Sequence, residues 1–251
     1  MLFIPLTPRS VLHVLLHRLL HGNWRDKGRV IIKTKNAILY GRSSDLVAMS
    51  LIEEPKTCKL ILQLCKSPPT GTFLDLGAHV GSYTVAVAKQ GWRVTALEPA
   101  PDTFNYLKQN VFVNRLENVQ LMNVALWSSN GFAWLYNSPN QDGDSSLVEN
   151  TTGPRVQVRT KTLTALLDEI GHVNVAKMDI EGAEINVLSN SNSLSCVDNW
   201  IIETSTEEAP HLMLIMKEKG YSCRTIEHLV RGGNIINVFF YRNKPLTNTN
   251  T

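Results

Sequence analysis

Apolar and polar positions along the chain switch repeatedly between runs that suit buried strands and spacings that suit one-sided helices. Phe73 to Leu76 is too apolar for a half-exposed strand and fits a parallel strand covered on both faces. Ser82 to Gln90 follows as a helix carrying Val85, Val87 and Ala88, and Arg93 to Leu97 as the next strand. Pro101 and Asp102 open a helix running to about Val113, with Phe104, Leu107 and Val111 on one face. Val119 to Leu126 reads as a third strand, Leu163 to Ile170 as a helix, Val173 to Met178 as a fourth strand and Val197 to Glu203 as a fifth. After a helix over Pro210 to Lys219, Tyr221 to Ile226 and Ile235 to Tyr241 close the sheet as a hairpin around Gly232-Gly233. The order predicts an α/β fold: a mostly parallel seven-stranded sheet with helices on both faces and an antiparallel last strand.

Two strand-like runs, Phe132 to Tyr136 and Arg155 to Thr160, flank the polar stretch Asn137 to Pro154, a length more often functional or mobile than decorative. Upstream, Pro68-Pro69-Thr70-Gly71 breaks the chain ahead of the first buried strand. Before that break, Arg29 to Thr34 and Ala37 to Gly41 read as a short hairpin, and the regions Asp45 to Glu53 and Lys56 to Lys66 as helical. Ser10 to His21 is an amphipathic helical pattern, apolar at Val11, Leu12, Leu15, Leu16, Leu19 and Leu20. The expected organisation is a leader over residues 1–55, a catalytic domain over 56–242 and a polar, disordered tail over 243–251.

The turn between the first two buried strands carries the first chemistry. Gly77 and Gly81 let the backbone turn tightly and approach a ligand, and Glu98 stands where an acid binds a ribose diol. In the dinucleotide pattern G-x-G-x-x-G counted from Gly77, however, the second glycine position is His79 and the third is Ser82. Close approach of a pyrophosphate is therefore disfavoured, and no G-x-x-x-x-G-K-[ST] loop is present. A cofactor with a ribose and no phosphate remains, of which S-adenosylmethionine is the common one.

Composition narrows the setting. At 251 residues, 43% hydrophobic and 19% charged, the chain suits one large α/β domain. Its net +3 is uneven: residues 1–50 hold eight Lys or Arg against two Asp, a net +6, which leaves −3 for residues 51–251. A solvated basic face is the simplest reading of that leader, with anionic lipid or nucleic acid as alternatives. The apolar face of residues 10–21 is expected to rest on the parent domain, with peripheral membrane contact as the other reading. His13, His17 and His21 share the opposite face without a carboxylate or cysteine beside them, so no metal site is assigned there. Cys58, Cys65, Cys196 and Cys223 are scattered, and no secretory signal pattern is seen, so the expected location is the cytoplasm. Asn150-Thr151-Thr152 matches a glycosylation acceptor, a pattern that carries little weight in a cytosolic chain.

A second constellation, Lys177-Met178-Asp179-Ile180-Glu181-Gly182-Ala183-Glu184, places four ionisable groups at the end of a buried strand. Desolvating them is costly unless they serve a ligand or one another. The fourth strand would deliver them to the same sheet edge as Gly77 and Glu98. Here the sequence resembles the FkbM family of S-adenosylmethionine-dependent methyltransferases, over about residues 57 to 241. The matching pieces are Asp75 to Thr84, Leu97 to Pro99, Asn123 to Leu126, Lys177 to Glu184 and Ile201 to Glu203. One departure is His79, where the family usually has Asn.

The resemblance implies a Rossmann-like class I methyltransferase fold and a set of roles. Asp75, Gly77, Ala78, His79 and Gly81 would line the methionine end of the cofactor, and the helix start near Ser82 would favour its carboxylate. Glu98 would accept the ribose hydroxyls, while Val124 and Ala125 would border the adenine. Asp179 and Glu181 would face the methyl group and acceptor, held or tuned by Lys177; Glu184 and Glu203 would act there or as internal ion-pair partners. The acceptor implied is a hydroxyl on a sugar, glycan or other small metabolite, under a lid formed by Asn137 to Pro154. Two other readings stand beside this one: an RNA methyltransferase using the basic leader, and an inactive binding protein on the same fold. Against RNA, no N-P-P-[YF]-like motif follows the fourth strand and no aromatic-plus-basic platform for bases is read in the sequence.

Overall fold

The computed structural model describes residues 29–33, 37–42, 54–66, 70–137, 145–147, 154–228 and 234–242. The expected helices over 10–21 and 45–53, the glycosylation motif, the Gly232-Gly233 turn, the tail and most of the 137–154 stretch lie outside them.

Two strands, β1 (Arg29–Lys33) and β2 (Ile38–Arg42), form the predicted antiparallel hairpin. The helix α1 (Pro55–Leu64) leads into β3 (Thr72–Leu76), α2 (Ser82–Ala88), β4 (Arg93–Leu97), α3 (Pro101–Val113) and β5 (Val119–Met122). After four strands of a separate sheet come α4 (Leu163–Ile170), β10 (Val173–Met178), α5 (Glu184–Ser189), β11 (Val197–Ser205) and α6 (Ala209–Glu218). The chain ends the sheet with β12 (Ser222–His228) and β13 (Ile235–Tyr241). The seven strands lie in the order β12-β13-β11-β10-β3-β4-β5, with β13 antiparallel to both neighbours. This is the predicted sheet.

The alternation of side chains across the pleat explains why both faces are covered. Phe73, Val175, Ile201 and Phe239 point to one face, where Ile61 of α1, Val87 of α2 and Leu107 of α3 pack on them. Leu74, Ala176, Trp200 and Phe240 point to the other, against Leu166 of α4, Leu188 of α5 and Leu212 of α6. Helix ends are set locally: Thr162 caps α4 by accepting the Ala165 N–H, and Gly171 with φ 77° ends it. At the start of α1 the capping acceptor comes from far away, as Glu227 on β12 accepts the N–H groups of Lys56 and Thr57 at 3.3 and 2.6 Å.

The structure corrects the third strand. Val119 to Leu126 is not one strand, because Asn123 donates its amide to the carbonyls of Glu98 and Pro99 and turns the chain. Only β5 joins the main sheet. After Asn123 and Val124, β6 (Ala125–Leu126) enters a second sheet with β7 (Gly131–Asn137), β8 (Ser145–Ser146) and β9 (Arg155–Lys161), in the order β6-β9-β7-β8.

The hairpin docks on α3. Asn110 and Asn114 bond the Tyr40 and Ile38 backbones in both directions, and Leu39 packs with Val80 and Val85.

Candidate active site

Parallel pairing brings the two sequence constellations together. Lys177 on β10 sits beside Asp75 on β3, Asp75 sits beside Ala96 on β4, and the strand ends that follow share one edge. Beyond β3 the chain makes its turn against β4, with the Gly77 and Ala78 N–H groups both donating to the Leu97 carbonyl at 3.1 and 2.8 Å.

The two glycines of this turn serve the protein's own packing. A Cβ at Gly77, φ 81°, would lie 1.7 Å from the Asp179 carbonyl oxygen, and one at Gly81, φ 91°, would lie 2.5 Å from Leu107 Cδ1. Gly77 thus lets the two chemical segments touch backbone to backbone, which differs from the ligand approach expected of it. His79 adopts φ 52°, the left-handed region that Asn enters most readily and His also tolerates. Its conformation accounts for the Asn usual at that position.

Glu98 is buried at the end of β4. Its Oε2 accepts the His79 N–H at 3.0 Å and its Oε1 the Ala100 N–H at 2.9 Å, leaving each oxygen a second lone pair. Burial pushes its carboxyl above the ordinary value, opposed by His79 and by these two N–H groups. Asp75 is 1% exposed; Oδ2 accepts the Thr84 hydroxyl at 2.5 Å, and Oδ1 has no hydrogen-bond partner among the described residues. An unpartnered buried carboxylate oxygen before the turn and a carboxylate with open lone pairs after β4 fit the amine and the ribose of an adenosyl amino-acid cofactor. Ser82 opens α2, buried beside the turn, and Val124 and Ala125 are buried directly after Asn123, which holds Glu98 and Pro99 in place.

The acidic motif divides. Lys177, 2% exposed, donates to Asp179 Oδ2 at 2.7 Å and lies 5.2 Å from the centre of the Tyr83 ring. Burial alone would favour its neutral amine, but Asp179, Glu54 and Glu203 overcome that and raise its pKa above the usual lysine range. Glu181 is exposed, with φ 55°, and its carbonyl accepts the Ser146 hydroxyl at 2.7 Å. Glu184 turns back, its Oε1 accepting the Ile180 N–H at 2.9 Å, and burial pushes its carboxyl up to about 7.

Sequence reasoning missed Glu54. It precedes Pro55 at the start of α1, and only that helix-start proline marks it in the sequence. In the fold, Glu54, Asp179 and Glu203 each bring a carboxylate oxygen within 4.8 Å of the other two. Tyr83 and Asn237 donate to Glu54 Oε2 at 3.2 and 3.1 Å. Burial raises the pKa of both Glu54 and Glu203, and Asp179 adds to it in each case. Three carboxyls therefore crowd around one ammonium, and burial favours the protonated form of Glu54 and Glu203. Burial also pushes the thiols of Cys58 and Cys65 up to about 12, so neither is a nucleophile at neutral pH.

Comparison with known proteins defines the class. The family model for the methyltransferase FkbM domain matches residues 75–223, and the chain belongs to that family. Methyltransferase 1 of Beauveria bassiana (strain ARSEF 2860) is 26% identical over 183 residues, covering 62% of this chain and 74% of the relative. Among solved structures, precorrin-6y C5,15-methyltransferase from Geobacter metallireducens GS-15 has a TM-score of 0.49 at 10% identity, over 74% of this chain and 87% of that one. TYW2 of M. jannaschii, solved with AdoMet, has a TM-score of 0.47 at 15% identity, over 86% and 87%. In a member of this family, the seven-stranded sheet with its antiparallel β13 is the Rossmann-like methyltransferase fold. Among the described residues no helix is long and apolar enough to cross a membrane.

Proposed function

We propose that this chain methylates a hydroxyl group on a sugar, glycan or other small metabolite, with S-adenosylmethionine as donor. The observation that carries the reading is the meeting, at one sheet edge, of the 75–82 turn, Glu98, and the Lys177–Asp179 pair. Asp75 and the turn would hold the methionine end, Glu98 the ribose, and Val124 and Ala125 the adenine side. The cofactor supplies an electrophilic methyl group on a sulfonium; the protein's task is to align the acceptor, exclude water and take a proton.

Asp179 is the general base in this reading. Its side chain is 23% exposed beside a fully buried lysine, so it meets both solvent-borne acceptor and protein interior. Lys177 fixes its orientation through the 2.7 Å contact. Glu54 and Glu203, with raised proton affinity, relay or store the proton that Asp179 receives. Glu181 stands on the exposed rim and would touch the acceptor without entering the buried cluster. A cytoplasmic location accords with four free cysteines among the described residues.

The test is incubation with S-adenosylmethionine carrying a labelled methyl group and extracts separated into glycan, lipid, RNA and protein fractions. Label in glycans or small metabolites, lost in Asp179→Asn, is expected. Label confined to RNA, protein or lipid, or undiminished in Asp179→Asn, would refute the assignment.

A further inference from the structure

The second sheet presents a face that the methyl-transfer reading does not use. On β7, Phe132, Trp134 and Tyr136 alternate onto one side, and Phe132 and Trp134 remain 67% and 44% exposed. The antiparallel register sets Arg159 opposite Phe132, Gln157 opposite Trp134 and Arg155 opposite Tyr136. Arg155, Gln157 and Arg159 are all exposed, and the Arg155 guanidinium stacks 4.6 Å above the centre of the Trp134 ring. The other side of the same strands is the apolar one, where Leu135 and Val158 pack with Ala125. Neither ring is needed to complete that core.

The pattern was invisible in the sequence because its aromatic and basic halves lie on strands joined by a long connection. F-A-W-L-Y and R-V-Q-V-R become one surface only through the β7–β9 register.

We propose that this face binds single-stranded RNA. Alternate residues on a strand lie about 6.8 Å apart, far enough for two flat rings to carry one base each. A four-stranded sheet with aromatics at such positions is a physical platform for unpaired bases, since every base offers a π-face. Guanidinium groups beside the rings supply stacking planes and phosphate contacts. None of the residues these strands place on the face is acidic, so Arg155 and Arg159 meet a polyanion without local repulsion. A duplex hides its bases in the stack, which is why the occupant is a single strand. The stripe also leads toward the active site: Tyr136 pairs with Ser146 of β8, whose hydroxyl donates to the Glu181 carbonyl. The inference stands on this surface alone and does not depend on which hydroxyl is methylated.

Fluorescence anisotropy of a labelled strand of about 12 uridines tests it on the full chain, with wild type, Phe132→Ala/Trp134→Ala and Arg159→Ala compared. Binding is expected in the wild type, at least about tenfold weaker in the double aromatic variant, and with a shallower salt dependence in Arg159→Ala. Thermal unfolding and S-adenosylmethionine binding, read on the same samples, are expected to be unchanged, so a failure of the cofactor reading is seen separately. Equal binding by all three proteins, equal affinity for a duplex of the same length, or binding of a sulfated oligosaccharide in place of the strand would overturn the proposal. So would a wild-type dimer in sedimentation that the aromatic variant abolishes.

Discussion

The His79 N–H donates to Glu98 Oε2 at 3.0 Å, so the turn after β3 and the acid that ends β4 form one unit. The contact depends on a backbone conformation that most side chains resist, φ 52° at His79. His79→Asn is expected to change stability by less than about 0.5 kcal/mol, while His79→Val should cost about 1–2 kcal/mol and weaken cofactor binding. Denaturant unfolding with and without S-adenosylmethionine reads both effects.

Gly77 separates the turn from the Asp179 carbonyl by less than the width of a methyl group. Gly77→Ala is expected to displace Asp179, cost at least about 2 kcal/mol of stability and abolish turnover. A variant with wild-type melting and activity would show that the two segments do not touch in this way.

Lys177 is the one cation among Glu54, Asp179 and Glu203 in the described cluster. Replacing it with Met leaves buried carboxyls without a counter-charge and should destabilise by about 3–5 kcal/mol near neutral pH. Because the pKa values of Glu54 and Glu203 are raised, the loss should shrink as pH falls and these groups take up protons. Unfolding of both proteins between acid and neutral pH measures the difference.

Glu184 gives the clearest pH signature. Its carboxyl is 3% exposed and pushed up to about 7 from 4.5 by burial. The folded chain therefore keeps a proton that the unfolded chain releases between these values, and stability falls as pH rises through the window. Glu184→Gln retains an acceptor for the Ile180 N–H and removes the titration. It is expected to match the wild type below pH 4.5 and to exceed it by up to about 3 kcal/mol above pH 7. Melting temperatures across that range decide it.

The main sheet was legible because its strands are short apolar runs bounded by glycine, proline and helix starts. Lys177 and Asp179 stood out as candidates because charges at the end of a buried strand need a reason to be there, Glu98 through its spacing from the glycine turn, and Asp75 through the family resemblance. Val119 to Leu126 misled because two strands of different sheets are separated only by Asn123 and Val124, and the turn at Asn123 depends on the carbonyls of Glu98 and Pro99. Glu54 was hidden for a related reason. Its place beside Asp179 and Glu203 arises from α1 docking on the sheet, with Glu227 capping the helix from about 170 residues away. Residue spacing along the chain holds no trace of such contacts.

The central claim is that one sheet edge holds the cofactor through Glu98 and performs proton transfer through Asp179. Calorimetric titration of S-adenosylmethionine into wild type, Glu98→Ala and Asp179→Asn, paired with methyl-transfer assays, tests it most directly. The account predicts binding by the wild type, binding within about threefold of it but little turnover for Asp179→Asn, and a loss of at least about 30-fold in affinity for Glu98→Ala. A wild-type protein that takes up no S-adenosylmethionine, or a Glu98→Ala titration superimposable on the wild type, would contradict it.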